Sequence, residues 1–256
     1  MQLVSSVVDK IEILTNASSI EELWAAHVEI MDGYGFDRLI YGFTRYRSEQ
    51  SLGDPQDWVI LSNQTQQYME DFIYSGIAYH APMLRWALNN DGACSWGVME
   101  EMAREKTLTE RELKVIEFNK IHDVTAGYTI SFRTISRRSK GAISLNARRG
   151  LSQPQVDVIW QKHGREIMLL NNITHLKILS LPYFGSRQLT RRQREVLGWV
   201  GDGKTTQDIA VLLGLTPATV EKHLRLAREK LDVETTAQAV LKASFYNQMF
   251  IFEDPE

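Results

Sequence analysis

Apolar and polar positions alternate along this chain with two different textures. Over the first 35 residues the apolar side chains recur at helical spacing. Val4, Val7, Val8, Ile11 and Leu14 form one stripe, and Ile20, Leu23, Trp24, Val28 and Met31 form a second, which predicts two amphipathic helices. The pattern then shortens. DRLIYGFTRY (37–46), DWVILSN (57–63), GACSW (92–96), AGYTISF (126–132) and GAISLNA (141–147) are brief runs rich in β-branched and aromatic residues, as strands are. The last two flank RTISRRSK, which reads as a solvated hairpin loop carrying Arg137, Arg138 and Lys140. Helical spacing returns in QTQQYMEDFIYSG (64–76) and in TLTERELKVIEFNKIHD (107–123). It returns again from Gln153 to about Leu179, where Val156, Ile159, Trp160, Ile167, Leu170 and Ile173 are apolar. Residues 1–179 therefore predict a mixed α/β domain: an antiparallel sheet with helices on both faces.

The stretch SLPYFGSRQ (180–188) carries Pro182 and Gly185 and has no period, so it reads as a linker. Beyond it, 189–256 read as an all-helical domain whose helix starts are marked. Thr190 with Gln193, Thr205 with Asp208 and Thr235 with Gln238 have the spacing of capping boxes. Thr216 precedes Pro217, a residue favoured at the first helical position. Leu215 and Val220 stand where a hydrophobic staple fixes how the chain enters the helix. Two short helices joined by Gly214–Thr216 make a helix-turn-helix pattern.

The second of these helices has two faces. Val220, Leu224, Ala227 and Leu231 recur as a core stripe, and Thr219, Lys222, His223, Arg225 and Arg228 lie on the other side. A helix buried on one side and basic on the other suits a major groove. A basic helix by itself is most simply a solvated face; the capped turn and the flanking helices favour DNA.

Composition changes this picture in three places. The net charge is −3, so no overall basic field announces nucleic acid, yet residues 187–250 hold ten Lys and Arg against seven Asp and Glu. The one cysteine, Cys94, excludes a disulfide framework and cysteine-based zinc sites; a buried thiol in a reducing compartment is expected. No apolar run approaches the roughly 20 residues that span a bilayer, and MQLVSSVVDKIEIL is not a secretory leader. A cytoplasmic protein without a membrane partner follows. His163 and Glu166 stand one helical turn apart as two potential metal ligands lacking a third, and a solvated pair is the simpler reading. No nucleophile with a base and no phosphate loop is present, so the chain is not expected to be an enzyme or to carry a metal or cofactor.

The segment LTRRQREVLGWVGDGKTTQDIAVLLGLTPATVEKHLRLAREKLDVETTAQAVLKA resembles the four-helix DNA-binding domain of LuxR-type transcription regulators. It departs from that pattern at Gln193, where the family usually has Glu. The resemblance implies that Glu221, Lys222 and Arg225 face base edges. It implies that Lys204, Thr205, Thr216, Thr219, His223 and Arg228 hold phosphates, with packing on the scaffold as the alternative for His223. Residues 20–178 resemble the acyl-homoserine-lactone receptor domain of quorum-sensing regulators. A phosphorylated receiver domain, the other common partner of this helical domain, needs parallel βαβ units and an Asp ending the third strand, and neither is present.

The receptor resemblance carries over residue by residue. Tyr68 stands where the family has a Trp that donates to the lactone carbonyl, and Phe72 stands where it has a Tyr. Ala81-Pro82 replaces an Asp-Pro pair whose carboxylate accepts the signal's amide N–H. The second Trp is kept as Trp96, the polar residue of the last strand as Ser144, and the glycine of the first strand as Gly42. The apolar walls survive and the polar recognition set is partly lost.

Three readings stay open: another apolar small molecule in the same cavity, a ligand-independent transcription factor, or an acyl-homoserine lactone held by other contacts. The implied partners are double-stranded DNA with an inverted-repeat operator, a second copy of the chain, and RNA polymerase. The excess apolar surface on the 153–178 helix and the stripe Ala237, Val240, Leu241 and Ser244 point to the homodimer. A protein-binding antagonist of a related regulator is a further alternative, against which the basic helix argues.

Overall fold

The five β-branched runs become strands β1 (Phe36–Thr44), β2 (Val59–Ser62), β3 (Gly92–Ser95), β4 (Gly127–Ser131) and β5 (Lys140–Ala147) in the computed structural model, which describes residues 6–48 and 51–249. Val4, assigned above to the first helical stripe, lies outside the described residues. The strands form one antiparallel sheet in the order β2-β1-β5-β4-β3. The chain divides into two units. One comprises the residues up to Ala17 and Glu21–Lys177; the other comprises Ser18–Ile20 and the chain from Ile178.

In the larger unit the helices are α1 (Val7–Asn16), α2 (Ile20–Gly33), α3 (Gln66–Met69), α4 (Pro82–Asn89), α5 (Val98–Arg104), α6 (Glu110–Ile121) and α7 (Gln153–Ser180). Successive strand residues point to opposite sides of a sheet, and each side here meets helices. On one side α7 lies along β1, β4 and β5. Trp160 stacks on Tyr128 at 3.9 Å between ring centres, and His175 stacks on Phe132 at 4.1 Å. The Tyr41 hydroxyl and His175 Nδ1 are 2.8 Å apart. The start of α7 is tied down by a polar hub. Gln153 Oε1 accepts from the Gly127 amide, and Asp157 Oδ1 accepts from Gln153 Nε2, Ser95 Oγ and the Tyr128 hydroxyl. The other side of the sheet meets α4, where Ser131 Oγ bonds to the carbonyls of Ala87 and Asn90 at 2.7 Å.

Two helices were not expected, and two expectations are corrected. Helices α4 and α5 carry no side-chain cap, since Ala81 and Gly97 precede them, and the one start signal, Pro82 at the first position of α4, was not read. Cys94 is only half-buried because β3 is an edge strand. Lys140 was placed in a solvated loop; it opens β5, is 8% exposed, and gives its ammonium to Asp91 Oδ1 and the Asn90 carbonyl at 2.8 and 2.9 Å. The segment 64–76 is helical but irregular. Thr65 caps α3, a π turn follows at Glu70–Tyr74, and Gly76 ends it with a φ of 89°.

The smaller unit contains α8 (Arg191–Gly201), α9 (Thr206–Leu213), α10 (Pro217–Leu231) and α11 (Thr236–Phe245). Thr190, Thr205 and Thr235 each close a capping box, and Thr216 caps α10. Val196, Leu197, Ile209, Val220, Leu224, Ala227, Leu231, Ala239 and Ala243 form its core. Gly214 ends α9 at a φ of 64°, a left-handed conformation that glycine adopts without a side-chain clash. Among the described residues no helix is long and apolar enough to cross a membrane.

Two histidines bear on stability. His27 of α2 is fully buried between Asn171 Oδ1 and Thr174 Oγ1, and His175 is 7% exposed. Burial lowers both to a pKa of about 4. In the unfolded chain both titrate near 6.5, so the unfolded state takes up more protons below that pH. Their contribution is fully present above pH 6.5 and is lost as the pH falls towards 4. The loss is on the order of 3 kcal/mol for each histidine. Urea denaturation across that window should show this slope, and His27→Gln should flatten it.

Candidate functional site

The side of the sheet away from α7 is not filled. Between it and α3, α4 and α6 lies a cavity of ≈ 260 Å³ with mostly apolar walls. Gly42, Tyr68, Phe72, Ala81, Trp96 and Ser144 all line it. Gly42 lies in the middle of β1, and a methyl built there would meet nothing within 4 Å, so the missing side chain leaves the floor open. Ser144 stands opposite Ile40 on one side and Thr129 on the other in the strand register.

Tyr68 and Phe72 come from α3 and the π turn. Their rings are 5.1 Å apart, and both pack on Phe118 of α6, at 5.4 and 5.8 Å. The Tyr68 hydroxyl donates to Asn119 Oδ1 at 2.8 Å. Burial pushes its pKa upward, so it serves as a neutral hydroxyl. Trp96 follows β3, and its indole N–H donates to Thr129 Oγ1 at 2.9 Å. Ser144 Oγ donates to Asn146 Oδ1 at 2.9 Å. Ala81 precedes Pro82 at the start of α4 and offers no side-chain acceptor. The adjacent His80 is exposed and is not part of the wall.

Thr129 and Asn119 are wall residues that the sequence reading did not single out. Neither belongs to a motif, and each meets its aromatic partner only through the fold. No carboxylate, arginine or histidine stands among the described residues of the wall. The ammonium of Lys140, which also borders it, is engaged by Asp91.

The second candidate site is the outer face of α10. Glu221, Lys222 and Arg225 are exposed, while Thr219, His223 and Arg228 are partly buried. Several of these side chains already have partners. Thr206 Oγ1 donates to Glu221 Oε1 at 2.8 Å, Arg225 pairs with Glu229 at 2.6 Å, and Arg228 donates to Thr236 Oγ1 at 2.9 Å. Thr216 and Thr219 share a hydroxyl contact of 2.9 Å. The Thr205 hydroxyl is spent on Asp208, and its donation holds that carboxyl below its usual range. Lys204 is exposed beside that cap. Glu229 could have been found from its position four residues after Arg225; Thr206 left no such signal.

Elsewhere, His163 and Glu166 are 3.8 Å apart, and Glu166 accepts the Tyr34 hydroxyl at 2.8 Å. Arg148 and Arg149 pair with Asp32 and Asp123.

Both parts of the chain match known families. Residues 19–178 match the family described as autoinducer binding domain, and residues 187–243 match bacterial regulatory proteins, luxR family. The transcriptional activator protein ExpR of Dickeya dadantii is 25% identical over 197 residues, covering 73% of this chain and 76% of that protein. The transcriptional activator protein LuxR of Aliivibrio fischeri is 23% identical over 243 residues, covering 93% of this chain and 90% of that protein. The structure of SdiA in complex with octanoyl-rac-glycerol has the same fold, with a TM-score of 0.51, 16% identity and 96% of each chain covered.

The open floor at Gly42 yields a stability test. Gly42→Val adds a β-branched side chain at a strand position with free space. It should raise the stability of the ligand-free protein by about 1 kcal/mol, read by calorimetry; a lower melting temperature would mean that the floor is closed.

Proposed function

The chain belongs to the luxR family of bacterial regulatory proteins with an N-terminal autoinducer binding domain, and on that premise we propose that it is a homodimer that reads an inverted-repeat operator and is controlled by a largely apolar small molecule in its cavity. The observation that carries this reading is the cavity itself, ≈ 260 Å³ inside an otherwise packed domain. Protein interiors are close-packed, and unfilled volume closed to water costs about 24 cal/mol per Å³. A ligand-independent factor gains nothing from such a void, which favours a bound molecule. The apolar walls suit a hydrocarbon, as does the octanoyl chain of the ligand named for SdiA. An acyl-homoserine lactone is the second reading, supported by Trp96, Tyr68 and Ser144 and weakened by the lost acceptor at Ala81.

In the DNA complex α10 lies in the major groove. Glu221, Lys222 and Arg225 read base edges, an acidic Glu221 being able to accept from cytosine N4. Lys204, Thr205, Thr216, Thr219, His223 and Arg228 hold the backbone. Uncovered apolar side chains support the dimer: Val158, Leu169 and Leu176 on α7 are 63, 45 and 65% exposed, and Leu241 on α11 is 55% exposed. Residues 180–188 link the two domains, the protein works in the cytoplasm, and RNA polymerase is the partner through which it acts on transcription.

Two measurements test this. Solvent extraction of the purified protein should release a neutral small molecule detectable by mass spectrometry, and adding it back should raise the melting temperature. A lactone recovered in this way would replace the preferred ligand with the second reading. On DNA, Arg225→Ala should cost about 1–3 kcal/mol and relax base preference, while Lys204→Ala should weaken all sequences alike. Equal losses on specific and random DNA for both variants, or a monomer in light scattering with the operator present, would contradict the assignment.

A further inference from the structure

The polar groups of the cavity wall are nearly all spent within the protein. The Tyr68 hydroxyl goes to Asn119, the Trp96 indole N–H to Thr129, and the Ser144 hydroxyl to Asn146. Two donors remain on uncharged side chains that are buried or half-buried; the Thr125 hydroxyl, also at the wall, is exposed. Thr129 Oγ1 accepts from Trp96, which leaves its own proton to give. Asn119 uses its carbonyl oxygen for Tyr68, which leaves its Nδ2 hydrogens to give. The charged groups at the wall are Lys120, which is exposed, and Lys140, whose ammonium is held by Asp91 and the Asn90 carbonyl. Among the described residues of the wall no buried cation is therefore free to balance an anion, and there is no carboxylate to receive an N–H. The cavity follows β1 from Ile40 to Thr44, a reach of about 14 Å at roughly 3.4 Å per residue.

Resting on the reading of this cavity as a ligand site, we propose that Thr129 and Asn119 set the ligand class: an elongated, uncharged, mainly hydrocarbon molecule whose carbonyl or ether oxygen accepts from these two side chains. A carboxylate is rejected because it would be buried without a counter-charge. A head group with an N–H donor is disfavoured because the wall's acceptors are hydroxyl oxygens and not carboxylates.

The test uses the full-length protein and three probes that share one octanoyl chain: the methyl ester, N-octanoyl homoserine lactone and octanoate. Titration calorimetry at neutral pH should rank the ester tightest, place the amide about tenfold weaker, and show no binding of octanoate. Asn119→Leu and Thr129→Val should each weaken the ester about tenfold, and Thr129→Ser should restore it. The melting temperature of each ligand-free variant reports whether it has folded, and Asn119→Leu leaves the Trp96–Thr129 bond in place should Thr129→Val fail to fold. If the amide or octanoate binds as tightly as the ester, or if both Asn119→Leu and Thr129→Val keep wild-type affinity, the ligand class is wrong and the cavity reading stands. If none of the three probes binds the wild-type protein, the cavity reading falls with it.

Discussion

The seating of α7 on one side of the sheet is the constraint on which the larger unit depends. A sheet of short antiparallel strands is stable only when its apolar side is covered, and here a 28-residue helix covers β1, β5 and β4 in one piece. Two flat ring stacks, Trp160 on Tyr128 and His175 on Phe132, set its distance from the sheet. The Gln153–Asp157 hub ties its first turn to β3 and β4. With that side closed by ring packing and buried hydrogen bonds, the sheet holds its shape without needing the other side to be solid. The opposite wall includes short pieces: α4 and α5, which lack a side-chain cap, and a helix that widens into a π turn at Glu70–Tyr74. Single π turns inside helices occur frequently at functional sites, and this one carries Phe72 into the cavity.

The smaller unit is built on the opposite principle. Its helices begin at side-chain caps and its core is a continuous apolar cluster, so little is left to long-range packing. The outer face of α10 is nonetheless organised. Glu221 is held from α9 and Arg228 from α11, while Arg225 is paired along its own helix. An exposed ion pair of the Arg225–Glu229 kind is worth only about 0–1 kcal/mol. Exchanging it for another partner would therefore cost little.

Much of the architecture was legible in the sequence because it is local. Short runs rich in β-branched and aromatic residues marked the five strands, threonine caps marked α8 to α11, and the stripe Val220–Leu224–Ala227–Leu231 marked the buried face of α10. The two family resemblances rest on the same local patterns. The helices that were missed, α4 and α5, are those whose starts use no capping side chain, and Lys140 was misplaced because its partners are Asn90 and Asp91 on a distant segment.

By itself, the sequence determined the strands, most of the helices, their order and many of the side-chain types that surround the cavity, since these depend on periodicity, caps and residue chemistry over a few neighbours. Only the tertiary structure decided which polar groups in that cavity are spoken for. Trp96 meets Thr129 across 33 residues and Tyr68 meets Asn119 across 51, pairings that exist only once β3 lies beside β4 and α6 lies over α3. A residue's capacity to donate can be read from its name; whether that capacity is left over for a ligand depends on which atoms the fold brings within hydrogen-bonding distance.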